Sequence, residues 1–123
     1  MVNTKMSKYV YCKGKIYTQD KIIIANGLCF RFRDNECNEC LGNDFIEFDN
    51  FEDLIEVRDM VRCNIGAGVI GTGVVEEIDR SSDYPIICDC FDVRVKGIVE
   101  IWKRIGNKFV RICHKENEEW KVD

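Results

Sequence analysis

The fold class is decided by the stretch from Asp59 to Phe91, which reads Asp59-Met-Val-Arg-Cys-Asn-Ile-Gly-Ala-Gly-Val-Ile-Gly-Thr-Gly-Val-Val-Glu-Glu-Ile-Asp-Arg-Ser-Ser-Asp-Tyr-Pro-Ile-Ile-Cys-Asp-Cys-Phe91. Short runs of valine and isoleucine alternate in it with glycine and with a Ser-Ser-Asp turn. β-Branched side chains suit a pleated, half-buried surface, whereas glycine, serine and aspartate supply the positive φ angles and local hydrogen bonds of tight turns. We therefore expect a mainly β (α+β) protein with strands near Met60–Asn64, Gly73–Ile78 and Ile86–Phe91.

Length and composition predict a single domain. The chain has 123 residues, of which 46% are hydrophobic and 33% are charged, and this length allows one compact core of ordinary size. Within the domain 1–123 we expect an N-terminal β-hairpin part (1–48), a short helix (49–58), a barrel with a C-terminal hairpin (59–115) and an acidic tail (116–123). The net charge of −4 argues against a general nucleic-acid binder, because such proteins need a basic surface, but it allows a local basic face.

The sequence predicts a protein of the cytoplasm, or of the host cytoplasm if a phage encodes it. No apolar segment has the length of a signal-peptide core or of a membrane span. The chain has eight cysteines, and in a reducing compartment these are free thiols, most of which serve as small core residues. A homo-oligomer is compatible with this composition.

The N-terminal region predicts an exposed face of aromatic and basic side chains. Residues 8–17 alternate with a period of two, as in a strand with one buried face. Tyrosine and arginine suit binding surfaces, where rings stack and guanidinium groups pair with phosphate or carboxylate. The residues predicted to bind a ligand or partner on this face are Tyr9, Tyr11, Lys13, Lys15, Tyr17, Arg31 and Arg33. The alternative interpretation is an edge strand that lysines protect against unwanted pairing.

Turn signals divide the rest of the N-terminal half. The pair Asn26-Gly27 predicts a β-hairpin, because Asn-Gly is the preferred pair of a type I′ turn. The apolar residues of its second strand are expected to point inward, namely Leu28, Phe30 and Phe32. A polar loop is expected over residues 34–43. The helix over 49–58 is expected because Asp49 or Asn50 can cap it and apolar residues follow at helical spacing.

The C-terminal third of the chain admits two interpretations. Apolar residues at helical spacing allow a helix that ends at Gly106, yet Gly106-Asn107 between two β-branched runs is also a two-residue hairpin loop. We prefer the hairpin, because it brings an aromatic–cation pair and an apolar pair together across the two strands. The two pairs are Trp102 with Arg111 and Ile101 with Ile112.

Three pieces of the chain resemble the SH3-like small β-barrels that are common in phage and prophage accessory proteins. They are an opening strand from Leu54 to Val61, the segment Gly73–Asp79, and the Asp-Tyr-Pro-Ile segment that runs from Asp83 to Phe91. The resemblance implies an SH3-like barrel and a binding role without catalytic residues. The function it implies is a non-enzymatic binding protein that binds and inhibits a host protein, such as a defence component.

Gly66, Gly68 and Gly71 spell the Gly-x-Gly-x-x-Gly pattern of dinucleotide-binding loops. In those loops a helix follows, whereas the residues that follow here are β-branched and interrupted by glycine, which favours a turn between two strands. Glycine N–H groups in such a turn can still meet an anion. A second hypothesis is therefore a small-ligand binder that sequesters a nucleotide or another anionic metabolite, using the glycine loop and the face of Arg31, Arg33, Tyr9 and Tyr11. Further candidate residues for binding a ligand or partner are Tyr84 and Trp102.

Two cysteine pairs are candidate zinc ligands. Cys37-x-x-Cys40 has the spacing of half a zinc site, and Cys88-x-Cys90 supplies the other half if both thiols project from one side of a strand. A third hypothesis is thus a zinc-stabilised nucleic-acid or protein adaptor. The alternative is reduced loop and core thiols, and no cofactor is then expected.

The sequence does not predict an enzyme. The single histidine, His114, follows Cys113 directly, and neighbours on a strand face opposite sides, so that the two do not share a proton.

The acidic residues between Glu47 and Asp59 form a dense negative segment. Such a segment is either a solvated face or a surface that occupies a basic site on a host protein.

Overall fold

The computed structural model describes residues 7–33 and 36–123; at positions 33, 37 and 38 it describes the backbone alone. The chain divides into two compact units, unit 1 (Met1–Leu54) and unit 2 (Ile55–Asp123). The boundary falls inside the segment 49–58, where the sequence predicted a helix. The expectation of a single domain stays a prediction.

The described part of unit 1 consists of two three-stranded antiparallel sheets, with the strand orders β2-β1-β6 and β3-β4-β5. Its strands are β1 (Tyr9–Cys12), β2 (Lys15–Thr18), β3 (Ile22–Ala25), β4 (Leu28–Arg33), β5 (Glu36–Gly42) and β6 (Phe45–Phe48). The polar loop predicted over 34–43 is wrong for residues 36–42, because this segment pairs with β4 as a strand. Backbone hydrogen bonds to β4 therefore make a strand of this segment despite its polar composition.

Two tight turns shape unit 1. Asn26 and Gly27 have φ angles of 53° and 73°, as a type I′ turn requires, which confirms the predicted hairpin. Lys13 and Gly14 have φ angles of 49° and 80°, so a second such turn interrupts the segment that the sequence presented as one alternating strand. Because the chain reverses there, residues that alternated along the sequence no longer share a face.

The inward side of β4 is the opposite of the one expected. Cys29 is fully buried, whereas Leu28, Phe30 and Phe32 are only partly buried. Cys29 packs in a core cluster with residues of both sheets: Val10, Cys12, Ile22 and Leu41. The small thiol fits between the two sheets, and the larger rings of β4 therefore lie on the other side of the strand.

The helix expected over 49–58 is reduced to a four-residue 3-10 helix at Phe51–Leu54. Asp49 precedes this helix, and its Oδ1 accepts a hydrogen bond from the backbone N–H of Lys8 at 2.8 Å. Phe51 packs against two rings of unit 1, with centroid distances of 4.9 Å to Tyr9 and 5.3 Å to Phe48. Aromatic packing therefore contributes to the stability of this segment.

Unit 2 is a seven-stranded antiparallel sheet with the strand order β10-β9-β8-β7-β11-β12-β13. Its strands are β7 (Met60–Gly66), β8 (Val69–Ile78), β9 (Ile86–Cys88), β10 (Asp92–Val93), β11 (Ile98–Ile105), β12 (Lys108–Glu116) and β13 (Glu119–Val122). The mainly β class is confirmed. In the described chain this strand order does not close into a barrel, because β10 and β13 remain its two ends.

The C-terminal hairpin is confirmed, with one shift of register. Trp102 lies opposite Arg111 as predicted, but Ile101 lies opposite Cys113 because a β-bulge inserts Ile112 into β12. A bulge sets two residues against one, and both Ile112 and Cys113 are buried. The acidic tail expected over 116–123 is wrong for residues 119–122, which pair with β12 as the last strand.

Candidate interaction face

Cross-strand partners project to the same side of a sheet, so the strand register defines the side chains on the outer face of unit 2. One row crosses four strands and contains Val74, Met60, Trp102 and Arg111. The next row crosses five strands and contains Thr72, Arg62, Glu100, His114 and Lys121. A third row pairs Arg104 with Phe109. Three arginines, a tryptophan, a phenylalanine and a methionine thus come together on one surface.

We call this surface the arginine–aromatic face and define it by its members Met60, Arg62, Trp102, Arg104, Phe109 and Arg111. Arg104 is exposed, and the Arg62 and Arg111 side chains are 43% and 39% exposed. The carboxylate of Glu100 lies among them with only 14% of its side chain exposed. The face therefore presents more positive than negative charge to its surroundings.

Trp102 is held in place by the carboxylate of Glu100. Its indole Nε1 donates a hydrogen bond to Glu100 Oε1 at 2.8 Å. The other oxygen, Oε2, lies 3.1 Å from Arg62 Nη1 and 3.8 Å from Arg111 Nη1. Because Glu100 is fixed by two cations, the indole ring is oriented before any partner binds.

The ion network continues along β12. Arg111 Nε donates to Asp123 Oδ2 at 3.0 Å. Asp123 Oδ1 lies 2.8 Å from His114 Nδ1, a close contact without the alignment of a hydrogen bond. His114 Nε2 lies 3.1 Å from Glu116 Oε1. The hydrogen bond to Asp123 fixes the guanidinium group of Arg111 at one edge of the arginine–aromatic face.

Of the predicted binding residues, Trp102 belongs to this face, whereas Tyr84 forms a separate exposed pair with Arg94. The Arg94 guanidinium lies 4.9 Å from the centroid of the Tyr84 ring, and its Nη2 donates to the Tyr84 hydroxyl at 3.3 Å. This stacked pair is 45% exposed at Tyr84. The structure does not place it in the rows of the arginine–aromatic face.

The predicted tyrosine and lysine face of unit 1 is not one surface. Tyr11 lies opposite Ile16, whereas Tyr17 lies opposite Val10, so Tyr9 and Tyr11 share one face and Lys15 and Tyr17 share the other. The physical reason is the two-residue turn at Lys13-Gly14. It reverses the chain, so that Lys15 and Tyr17 project from the side of the sheet opposite to Tyr9 and Tyr11.

The rings of these tyrosines already have partners within unit 1. Tyr9 stacks on Phe48 with a centroid distance of 5.3 Å. Arg31, which the sequence placed on the same predicted face, lies 5.7 Å from the centroid of Tyr17. The side chain of Arg33 lies outside the described residues.

The glycine motif forms a hairpin tip between β7 and β8. Ala67 and Gly68 have φ angles of 50° and 76°, and Gly66 N–H donates to Asn64 Oδ1 at 3.0 Å. Gly71 lies within β8, where the dinucleotide fingerprint would require a helix. The favoured interpretation, a turn between two strands, is confirmed. The tip is apolar, because its aliphatic residues Ile65, Val69 and Ile70 are 43–54% exposed.

The structure does not present Cys88 and Cys90 together from one side of a strand, as the predicted half-site requires. β9 ends at Cys88, whose thiol is buried, while Cys90 lies in the following turn and is exposed. Burial raises the pKa of the Cys88 thiol to about 12. In the other pair Cys40 is exposed on β5, and the side chain of Cys37 lies outside the described residues. No group of three or more potential metal ligands occurs among the described residues.

The acidic segment is not uniformly solvated. Within unit 1, Glu47, Asp49 and Asp53 are exposed, whereas in unit 2 Asp59 is buried and paired with Lys103.

All seven cysteines described are free, and five of them are buried, which fits the expectation that most are core residues.

Comparison of the chain with protein-family models, with curated proteins and with solved structures finds no match. Among the described residues, no helix has the length and apolar character that crossing a membrane requires.

The sequence does contain a signal for the arginine–aromatic face. From Ile101 to Lys115 the chain has five cationic residues and no aspartate or glutamate, although its net charge is −4. We call this segment the basic hairpin, because it spans most of β11 and β12. Arg62 gives no such signal, since only the pairing of β7 with β11 brings it beside Glu100.

Proposed function

We propose that this chain is a non-enzymatic binding protein that docks onto an acidic surface of a protein partner through its arginine–aromatic face. The observation that carries the proposal is the fixed position of Trp102. Its ring lies centrally in the sheet, partly exposed, and is oriented by a hydrogen bond to a carboxylate that two arginines hold. Tryptophan and arginine are the residue types that most often dominate the binding energy of interfaces.

The arrangement of the side chains supports a specific interface. Met60, Trp102 and Phe109 provide apolar contact area, and Arg62 and Arg111 border it with charge. An apolar centre with a polar rim is the usual anatomy of a protein–protein interface. Because the ring and the guanidinium groups are already ordered, association loses less side-chain entropy than it would with free side chains.

The charge of the face indicates the kind of partner. A basic surface on a chain of net charge −4 orients the protein as it approaches an acidic surface and raises the association rate. Met60, Trp102 and Phe109, on the same face, are partly exposed apolar side chains. A phosphate backbone offers no apolar surface for such side chains, whereas a protein does, and this favours a protein partner over a nucleic acid.

Binding of this kind would inhibit a partner whose acidic surface is itself functional. The chain would then act as a competitive inhibitor that blocks this surface, which is the role that the resemblance to phage accessory proteins implies. Inhibition requires no catalytic group on this chain, only occupancy of the partner's surface.

The test places a photo-crosslinking benzophenone amino acid at Phe109, with the same group at Tyr84 as the positional control. The 123-residue chain is irradiated in lysate and with the purified partner that the lysate identifies. We expect a protein adduct from position 109, and at least a tenfold weaker affinity after Arg104→Glu with Arg111→Glu. The matched control, Arg80→Glu with Lys96→Glu, makes the same change of net charge outside the face and keeps the affinity within twofold.

Three outcomes would contradict the proposal. One is an affinity that both charge-reversal pairs lower equally, since the effect would then depend on net charge alone. Another is an adduct that position 84 gives and position 109 does not. The third is an adduct at position 109 that nuclease removes, which would identify a nucleic acid as the partner.

A further inference from the structure

Cys12 and Cys29 form a pair of buried thiols in the core of unit 1. Both residues are 0% exposed, and both belong to the core cluster between its two sheets. Cys12 lies on β1 in one sheet and Cys29 lies on β4 in the other. Each thiol affects the pKa of the other, so the two side chains are neighbours within this cluster.

The surroundings keep this pair reduced at rest. Cys12 Sγ also lies within hydrogen-bond distance of two backbone carbonyl oxygens, at 3.5 Å from Leu41 and 3.4 Å from Asp44. Burial raises the pKa of both thiols, that of Cys29 to about 11. Since the thiolate is the reactive form, the pair does not react with mild oxidants while unit 1 stays closed.

We propose that Cys12 and Cys29 are an oxidative modification site at which a peroxide links the two sheets of unit 1 through a disulfide bond. Both thiols lie in the core cluster between the two sheets, so the bond forms without a rearrangement of the sheet order. The inference is independent of the proposed binding function, because it concerns residues of unit 1 alone.

The reaction consumes one hydrogen peroxide. The Cys12 thiolate attacks one peroxide oxygen, the O–O bond breaks, and the leaving hydroxide takes up the proton that Cys12 released, giving a sulfenic acid and water. The Cys29 thiolate then attacks the Cys12 sulfur and the S–O bond breaks; the leaving hydroxide takes the Cys29 proton and becomes the second water. Two thiols lose two electrons in total, and the peroxide oxygens are reduced.

Four other described cysteines are placed differently. In unit 2, Cys63 and Cys88 are both buried, but their strands β7 and β9 belong to one sheet, so a bond between them would not link two sheets. Cys40 and Cys90 are exposed and meet an oxidant first. Because burial limits access to Cys12, local opening of unit 1 sets its rate, and the site therefore responds to sustained rather than brief exposure.

The experiment uses the full chain with its other accessible or undescribed thiols removed by Cys37→Ser, Cys40→Ser and Cys90→Ser. The protein is incubated with hydrogen peroxide, unfolded with a maleimide present, and digested with trypsin. We expect the peptides Tyr9–Lys13 and Ile22–Arg31 to be joined by a bond that a reductant cleaves, with both cysteines unavailable to the maleimide. The cross-link should raise the midpoint of thermal unfolding by about 5–10 °C.

The control variants are Cys12→Ser and Cys29→Ser, which should give neither the joined peptide nor the rise in melting temperature. Cys88→Ala, a buried thiol outside the pair, should leave both results unchanged. The proposal is overturned if Cys12 and Cys29 remain open to the maleimide, if either stops at a sulfinic acid, or if either is joined to another cysteine. Peptide mapping of the background protein decides this even if a control variant fails to fold.

Discussion

The Nζ of Lys103 lies 2.7 Å from Oδ2 of Asp59, and both side chains are buried, with exposures of 5% and 7%. The same Nζ lies 2.7 Å from Oε1 of Glu56, whose side chain is 59% exposed. Asp59 Oδ2 also accepts the backbone N–H of Glu56 at 2.8 Å. The pair turns Lys103 to the buried side of β11, which leaves its neighbours Trp102 and Arg104 on the arginine–aromatic face.

Replacing the lysine tests the importance of this pair for stability. Lys103→Met removes one partner of a buried ion pair and leaves a buried carboxylate, so we expect a loss of about 3–5 kcal/mol in the free energy of unfolding. Burial raises the pKa of Asp59 and Lys103 opposes this effect. In the variant the carboxyl is therefore harder to ionise in the fold than in the unfolded chain, and stability should fall as the pH rises above about 4. Urea unfolding at several pH values measures both effects.

Two further variants separate charge pairing from packing. Lys108→Met changes an exposed lysine of the same hairpin and should alter stability by less than about 0.5 kcal/mol. The double replacement Lys103→Met with Asp59→Leu should recover part of the loss, because no unpaired charge then remains. A single variant as stable as the parent protein would show that the pair contributes nothing.

The buried thiols make the protein sensitive to alkali. Burial raises the pKa of Cys29 and Cys63 from 9.0 to about 11. Between about pH 9 and pH 11 these thiols stay protonated in the fold but ionise in the unfolded chain. The unfolded state then binds fewer protons, so stability is fully present below about pH 9 and falls as the pH rises through this range.

Cys63→Ala should reduce the loss of stability with rising pH by the contribution of one thiol. Cys40→Ala, at an exposed position, should not change this loss. The measurement is the slope of the urea midpoint against pH, which separates the proton effect from the cavity that Cys63→Ala also creates. Equal slopes in all three proteins would contradict the explanation.

Gly73 is required by the packing on β8. A Cβ at this position would lie 2.8 Å from Cys88 Cβ and 3.2 Å from Cζ of the Phe91 ring. Gly73→Ala should therefore cost about 1–3 kcal/mol through overpacking, measured by denaturant unfolding. The matched control is Gly71→Ala, whose Cβ would meet only side-chain atoms at 3.2–3.3 Å and should cost less. A larger loss at position 71 would refute this reading of the contacts.

Glu100 is predicted to order the indole of Trp102. Glu100→Ala removes the hydrogen-bond acceptor of Nε1 and leaves two arginines without their shared carboxylate. We expect lower fluorescence anisotropy of Trp102, measured in a Trp120→Phe background so that one tryptophan emits, and a loss of about 1–3 kcal/mol in stability. Glu119→Ala, which removes an exposed carboxylate of the same unit, should leave the anisotropy unchanged. A ring that stays equally ordered would show that packing alone holds it.

The binding residues were harder to predict than the strands, because the composition of a face depends on which residues of every strand point to the same side of the sheet. The alternation over residues 8–17 suggested one surface, but the turn at Lys13-Gly14 divides it into two. At the C-terminus the pairing of Trp102 with Arg111 was predictable from the two-residue turn, whereas Arg62 enters the same face only through the long-range pairing of β7 with β11. Local periodicity carries no information about such a partner.

The sequence by itself determined the mainly β class and the turns at Asn26-Gly27 and Gly106-Asn107, because φ preferences and β-branched side chains act over a few neighbouring residues. Only the tertiary structure decided that Cys29 rather than Phe30 points into the core, that residues 119–122 form a strand, and that Lys103 is buried. Each of these depends on hydrogen-bonded or packed partners distant in sequence, and the free energy of burying a side chain is set by those partners rather than by its neighbours along the chain.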